Sequence, residues 1–154
     1  MAVRLDAIDR QTDVTVAAIL VNRVLPELFN RPEAALFERL AESRVERAAV
    51  TLEVGPGTFK PVMADDPEEH HLHAERISVS AEAATTIAAA KAEGRRVVAV
   101  GTTVVRTLEH VARVSGGVAP FEGETSLRIL PGDDFRVVDA LITNFHLPRS
   151  TLFM

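Results

Sequence analysis

The sequence contains no cysteine, no tryptophan and no tyrosine, and its large aromatic residues are seven phenylalanines. A chain without cysteine has no disulfides and no thiolate ligands for a metal, so cysteine usage does not constrain the redox state of its compartment. The scarcity of aromatic rings weakens the case for a platform on which nucleic-acid bases stack. These absences exclude a disulfide-stapled domain and a cysteine-ligated metal centre.

Long hydrophobic runs are missing as well. The longest apolar stretch, Val14–Val21, is far shorter than the roughly 20 residues that cross a bilayer. Met1–Arg10 alternates charges and has no apolar core, so we expect no signal peptide, no membrane span and a cytoplasmic location. The formal net charge of -5 argues against a uniformly basic surface that binds nucleic acid non-specifically, although a local basic patch remains compatible with it.

The remaining composition is that of a globular protein: 47% of the residues are hydrophobic and 25% are charged. The 154 residues suffice for one domain that buries roughly two-thirds of the surface of its unfolded chain. Because no repeat, linker or low-complexity tract interrupts the chain, we predict a single domain over residues 1–154.

The central stretch of the chain is Arg95–Ala112. Val97–Val100 reads as a strand buried on both faces, Gly101 ends it, and apolar residues then recur at helical spacing. Thr102 and Thr103 are the predicted caps of that helix. Such a strand, turn and helix aims free N–H groups at an anionic ligand, and Arg106 could add a charged fork, although most such turns are only connectors.

The other patterns predict a mixed sheet with flanking helices, which is an α/β fold. Helices are predicted over 14–29, from Pro32 to about Ser43 and from Ser80 to Glu93. The alternation of Ala48, Val50, Leu52 and Val54 predicts a strand with one face on the core. Segments 127–130 and 135–143 read as an antiparallel hairpin across the turn-rich sequence PGDD.

Histidines cluster in the polar stretch EEHHLHAE, residues 68–75. His70 and His73 are three residues apart, a spacing that places two metal ligands on one helical face, but Glu69 beside His70 only approaches a familiar metal signature. A solvated polar loop is the plain alternative. The third interpretation is a histidine with a pKa near neutrality that transfers protons or contacts the substrate.

Two further places could carry chemistry. His146 follows a predicted strand within Asn144–Pro148, either as a site residue or as a histidine that bonds a neighbouring carbonyl. Gly57 and Thr58 lie in GPGTF, either a structural turn or a loop whose glycines let a ligand approach backbone N–H groups. Nucleophile motifs based on serine or cysteine are missing, as are a phosphate loop and a dinucleotide fingerprint.

Four stretches, read together and in order, resemble one family. VTLEVGPGTFKPV, EEHHLHAE, VAVGTTVVRTLE and VVDALITNFHLPRSTLFM are similar to motifs of the S-adenosylmethionine:tRNA ribosyltransferase-isomerases of queuosine biosynthesis. The resemblance covers about residues 36–154, while residues 1–33 form an N-terminal segment that we do not align with the family. It therefore implies a partial version of the ribosyltransferase-isomerase fold, in a truncated or divergent member.

The resemblance implies a cytoplasmic tRNA-modifying transferase and isomerase. Such an enzyme moves the ribosyl part of S-adenosylmethionine onto 7-aminomethyl-7-deazaguanine in the tRNA anticodon, which yields epoxyqueuosine and releases adenine and methionine. S-adenosylmethionine is a consumed substrate, and no metal is implied. The expected catalytic residues are His70, His73 and His146, and the expected substrate-binding residues are Gly57, Thr58, Gly101, Thr102, Thr103, Arg106 and Asn144.

Two alternatives remain open. The family enzyme is more than twice as long as this chain, so a noncatalytic remnant or binding module is the first. A metal-dependent hydrolase built on His70, His73 and His146 is the second. Because a shortened two-domain enzyme exposes surface that once faced the other domain, we also expect self-association.

Overall fold

The computed structural model describes residues 16–22, 31–55 and 72–146, which form a mixed six-stranded sheet with flanking helices. The strands are β1 (Val16–Asn22), β2 (Glu46–Leu52), β3 (Glu75–Val79), β4 (Arg96–Val100), β5 (Phe121–Thr125) and β6 (Ala140–Ile142). The helices are α1 (Arg31–Glu42), α2 (Ala81–Ala92) and α3 (Thr102–Ser115). The predicted mixed α/β fold is confirmed.

The strands lie in the order β5-β3-β2-β1-β4-β6. β2, β1, β4 and β6 run parallel, whereas β3 is antiparallel to β2 and β5 is antiparallel to β3. The chain leaves β1 for β2 on one side, and β4 lies on the other side, so the strand order reverses at β1. Ligands of open α/β sheets bind beyond the carboxyl ends of the strands at such a point.

The burial of the strands follows their position in the sheet. Along β2, Ala48, Val50 and Leu52 are buried and alternate with more exposed residues, as predicted for a strand with one face on the core. The prediction is wrong for Val54, which lies beyond the end of β2 and is 44% exposed. In β4 the consecutive residues 97–99 are all buried, as predicted for a strand buried on both faces. β2, β3 and β4 contribute to one hydrophobic core.

Two predicted helices are confirmed with their ends. α2 begins after Ser80, whose hydroxyl accepts the backbone N–H of Ala83 at 3.1 Å, and Gly94 follows it with a φ of 70°. α1 ends at Glu42, next to the predicted end at Ser43. No helix among the described residues is long and apolar enough to cross a membrane.

The predicted helix over 14–29 is wrong where the structure describes it, because residues 16–22 form β1. Backbone pairing places this strand between β2 and β4, with Val21 opposite both Ala49 and Val100. A short apolar run predicts a buried strand as well as a buried helix. The β-branched residues Val16, Ile19 and Val21 favour the strand.

The predicted hairpin over 127–143 is also wrong. The turn at PGDD forms, since Asp133 N–H donates to Leu130 O at 3.0 Å, but the segments on its two sides do not pair. Residues 126–130 have no regular structure, and β6 pairs in parallel with β4 instead. The reason is long-range: the N–H groups of residues 136–138 bond a glutamate on α3 and are not available to a ladder.

Strand β3 was not predicted. Its residues Glu75, Ile77 and Val79 are buried and alternate with more exposed ones, which is the period of a half-buried strand. A glutamate in the apolar register hides that period. The structure makes this glutamate part of the site described below.

We expect Gly101→Ala to lower the free energy of unfolding by about 1–3 kcal/mol, because Gly101 has a φ of 103° and a ψ of 142°, a region open essentially to glycine. Space is not the obstacle, since an added Cβ would meet only Thr103 Oγ1, at 3.6 Å. Urea denaturation measures the change. Gly117→Ala is the matched control, since Gly117 has no positive φ and an added Cβ there meets nothing within 4 Å. Equal effects of the two substitutions would contradict the assignment.

Candidate active site at the carboxyl edge of the sheet

The candidate site lies where the carboxyl ends of the parallel strands meet. β2 ends at Leu52 and leads to Gly55, and β4 ends at Val100 and leads through Gly101 into α3. β3 is antiparallel to β2, so its first residue, Glu75, lies at the same edge. Three chain segments that are distant in sequence therefore converge there.

A buried ion pair joins two of these segments. Arg106 Nη1 donates to Glu75 Oε2 at 2.5 Å, and the two side chains are 9% and 2% exposed. Glu75 Oε1 accepts the backbone N–H of Gly55 at 2.9 Å, and Arg106 Nε donates to Leu127 O at 3.2 Å. The pair thus connects the turn after β2, the start of β3, helix α3 and the segment after β5.

One donor of this cluster is unused. Arg106 Nη2 is buried and has no hydrogen-bond partner among the described residues. A buried donor without a partner costs about 1–3 kcal/mol, so an oxygen of a bound ligand that accepted this N–H would recover that cost. The predicted role of Arg106 in holding an anionic group stays a prediction, and Nη2 is the atom available for it.

The first turn of α3 supplies further donors. Gly101 is the N-cap of α3, and no side chain among the described residues makes a capping hydrogen bond at this helix end. The predicted capping by Thr102 and Thr103 is therefore wrong. The Gly101 N–H donates to Ile142 O at 2.8 Å, which ties the turn to β6. The positive end of the helix dipole at this turn favours an anion.

Two carboxylates fix the segment that leads into β6. Glu109 is fully buried, and its oxygens accept the N–H groups of Arg136, Val137 and Val138 at 2.8, 3.0 and 2.9 Å. Asp139 accepts the Val97 N–H at 2.7 Å and pairs with Lys91 at 3.1 Å. β6 is thereby held against β4, although it is only three residues long.

Asn144 and His146 follow β6 directly. Because β6 is parallel to β4, they leave the sheet at the edge where Gly101 lies. Asn144 is exposed and His146 is partly buried, and Phe145 between them is 96% exposed. Both polar residues are predicted site residues, and the topology brings them to the candidate edge.

The remaining predicted residues fall into two groups. His73 is exposed and precedes β3 by two residues, so it also lies at this edge. His70, Gly57 and Thr58 lie outside the described residues. Within the described ranges no three His, Asp or Glu side chains form a group that could hold a metal ion. The predicted roles of all ten site residues stay predictions.

Sequence reasoning missed Glu75 and Glu109. Each has partners far away along the chain, 31 residues for Glu75 with Arg106 and 27 to 29 residues for Glu109 with its backbone donors. The sequence did carry a signal: both glutamates occupy positions where the period of their strand or helix predicts a buried, apolar side chain. Glu75 shares a strand face with Ile77, and Glu109 follows Leu108 on the buried side of α3.

A cleft of about 960 Å³ lies at the opposite edge, next to the amino ends of β2 and β4. Arg47 stacks on Phe37 in this cleft, with its guanidinium carbon 4.7 Å from the ring centre. Glu46 and Glu93 each contact Arg95 at 2.6 Å, and the bond to Glu46 is the main reason that the pKa of Arg95 is raised. The cleft contains none of the predicted site residues that the structure describes.

The surroundings of His110 lead us to expect that the stability of the protein depends on pH. Burial chiefly, and the nearby Arg106 charge secondarily, hold the pKa of His110 below its usual value of 6.5. In the window between the lowered folded pKa and 6.5 the unfolded chain binds more protons, so stability falls as the pH drops through it. We expect wild-type protein to lose more stability than His110→Gln between about pH 7.5 and about pH 5, measured by urea denaturation. The same loss in both proteins would contradict this origin.

The fold and the site define an α/β protein with a candidate small-molecule site at the carboxyl edge of its parallel strands. The profile of the family described as queuosine biosynthesis protein matches residues 32–154. This chain belongs to that family, so the predicted family membership is confirmed.

Relatives named S-adenosylmethionine:tRNA ribosyltransferase-isomerase extend this result. The protein from Anaeromyxobacter sp. strain Fw109-5 is 61% identical over 120 residues, which are 78% of this chain and 34% of that protein. The protein from Thermus thermophilus is 60% identical over 119 residues, 77% of this chain and 34% of the relative. The Dichelobacter nodosus protein is 47% identical over 150 residues, 97% of this chain and 42% of the relative.

A crystal structure of an S-adenosylmethionine tRNA ribosyltransferase from Thermotoga maritima is similar to this chain with a TM-score of 0.60 and 40% sequence identity. The match covers 78% of this chain and 36% of that one. The expected relation to the ribosyltransferase-isomerase fold is therefore confirmed. The chain spans about a third of the length of the first two relatives described above.

Proposed function

We propose that this chain acts in the S-adenosylmethionine:tRNA ribosyltransferase-isomerase reaction. The ribosyl part of S-adenosylmethionine is transferred to the aminomethyl group of 7-aminomethyl-7-deazaguanine in the tRNA anticodon and isomerised to the epoxycyclopentanediol of epoxyqueuosine. Adenine and methionine leave. S-adenosylmethionine is therefore a substrate that is consumed, and the location is the cytoplasm, where tRNA is modified.

One observation carries the proposal. The family match over residues 32–154 includes every residue of the candidate site, and the described ones lie at or beside the carboxyl edge of the sheet. That edge combines a helix N-terminus, a glycine turn and a buried arginine with one unused donor. Such donors suit the carboxylate of the methionine part of S-adenosylmethionine or a phosphate of tRNA.

The chemistry assigns roles to these groups. Departure of adenine needs a proton on the leaving base, and attack by the amine needs a base that removes a proton. Histidine suits both steps near neutral pH, which supports His70, His73 and His146 as the proton-transfer residues. Gly57, Thr58, Gly101, Thr102, Thr103, Arg106 and Asn144 are the proposed binding residues. No step of this scheme uses a metal ion.

A noncatalytic binding module is the second candidate. The chain spans 34% of the Anaeromyxobacter relative, so a site that needs groups from the rest of such a protein would bind ligand here without turnover. The exposed Leu141 and Phe145, beside the proposed binding residue Asn144, support self-association as a further proposal. The two functions differ in turnover.

Adenine release from S-adenosylmethionine tests the proposal. The folded chain, verified by circular dichroism, is mixed with S-adenosylmethionine and with tRNA that carries 7-aminomethyl-7-deazaguanine, and adenine is measured by chromatography. Release that depends on this modified base, and that His73→Ala reduces, is the expected result. A folded chain that releases no adenine but binds S-adenosylmethionine in calorimetry would overturn the catalytic function in favour of the binding module.

A further inference from the structure

The carboxylate of Glu75 is shared between two parts of the candidate site. One oxygen accepts from Arg106 on α3, and the other accepts the N–H of Gly55, the residue that opens the sequence GPGT after β2. We propose that Glu75 is a positioning residue: it fixes Gly55, where the chain leaves β2, relative to the proposed binding residue Arg106 on α3. This inference rests on the proposed function.

The burial of Glu75 supports a geometric role. The residue is 3% exposed, and an apolar pair in place of a buried ion pair is often as stable or more stable. A glutamate at this position is therefore not explained by stability alone. What an apolar side chain cannot do is accept two donors that come from different segments, which Glu75 does at 2.5 and 2.9 Å.

The contacts of Arg106 extend the same network. Its Nε bonds Leu127 O and its Nη1 bonds Glu75, so two of its three nitrogen atoms are fixed within the protein and the direction of Nη2 follows from them. The Glu75 side chain also packs closely against Gly55, whose N–H its Oε1 accepts. A Cβ added at Gly55 would be 3.8 Å from Glu75 Cγ. Gly57 and Thr58, two proposed binding residues, follow Gly55 by two and three positions in the sequence.

Paired substitutions isolate this role from that of Arg106. In Glu75→Met with Arg106→Met, the ion pair between the two residues is removed as a whole, and no acceptor remains at position 75 for the Gly55 N–H. In Glu75→Gln with Arg106→Met, the glutamine pair, the amide oxygen of residue 75 can still accept that N–H. The two proteins differ only at position 75, so a difference between them reports the acceptor there. Glu122→Gln, on the exposed face of β5, is the control for a lost carboxylate elsewhere.

Amide hydrogen exchange measured by NMR tests the positioning directly. In the methionine pair we expect the Gly55 amide to exchange at least about tenfold faster than in wild type, while the amides of Val98 and Val104 change less than about twofold. The glutamine pair and Glu122→Gln should retain the protection of Gly55. Unchanged exchange at Gly55 in the methionine pair, or equal acceleration at all three amides, would overturn the proposal.

Turnover separates this inference from the function on which it rests. If the wild-type chain releases adenine, Glu75→Gln should retain at least about tenfold more activity than Glu75→Met, because both keep the proposed binding residue Arg106 and only the first keeps an acceptor for the Gly55 N–H. Equal activities would remove the role in catalysis. If the wild-type chain releases none, the proposed function fails before any variant is compared. The role in catalysis then falls with it, and the exchange data alone decide whether Glu75 positions Gly55.

Discussion

Replacing Glu109 by alanine should lower the free energy of unfolding by about 3–6 kcal/mol. The carboxylate is fully buried and accepts three backbone N–H groups, two of which belong to the buried residues Val137 and Val138. A buried N–H that loses its acceptor costs about 1–3 kcal/mol, and the missing side chain adds a cavity. Since a domain of this kind has about 5–15 kcal/mol in total, the substitution would remove a large part of the stability.

Urea denaturation followed by circular dichroism measures this effect, and two variants frame it. Glu109→Gln keeps one carbonyl oxygen, enough for the two bonds that Oε1 now accepts, so an intermediate loss of about 1–2 kcal/mol is expected. Glu122→Ala removes an exposed glutamate and should change stability by less than about 0.5 kcal/mol. If Glu109→Ala behaved like Glu122→Ala, the carboxylate would not be what holds residues 136–138.

Local periodicity predicted the elements whose structure depends on local contacts. The alternation in β2 and the limits of α2 at Ser80 and Glu93 are local signals, and each corresponds to the observed structure. β1 was predicted as a helix because a short apolar run carries no period that separates the two structures. Its pairing with β2 and β4 decides between them, and helix α1 separates β1 from even the nearer of these two strands.

The candidate site divides in the same way. The Gly101 turn and Arg106 were predicted because a strand, a glycine and a helix follow one another directly. Glu75 and Glu109 were missed because their function in the fold is to satisfy donors that are about 30 residues away. The hairpin prediction failed for the same reason, since it assigned to a ladder the N–H groups that Glu109 occupies. The sequence feature that could have indicated such long-range bonds is a glutamate at a position where the strand or helix period predicts an apolar residue.

Arg106→Met should destabilise the protein by about 3–5 kcal/mol, because it leaves the Glu75 carboxylate buried without its cation. The Glu75 side chain is 2% exposed, so its carboxylate is shielded from bulk water. The Leu127 carbonyl also loses the donor that bonds it at 3.2 Å. Urea denaturation gives the size of the loss, and Arg76→Met, on the exposed side of β3, is the matched control, expected to change stability by less than about 0.5 kcal/mol.

The double substitution of Glu75 and Arg106 by methionine turns this prediction into a test of what the pair does. If the cost of Arg106→Met comes from an orphaned charge, removing Glu75 as well should return the stability to within about 1–2 kcal/mol of wild type, with a coupling energy of about 2–3 kcal/mol in the double-mutant cycle. Additive losses would instead mean that each side chain stabilises the fold through its own packing. A strong coupling with a stable double mutant would show that the fold does not require the charged pair, as expected if Glu75 serves to position Gly55 and Arg106.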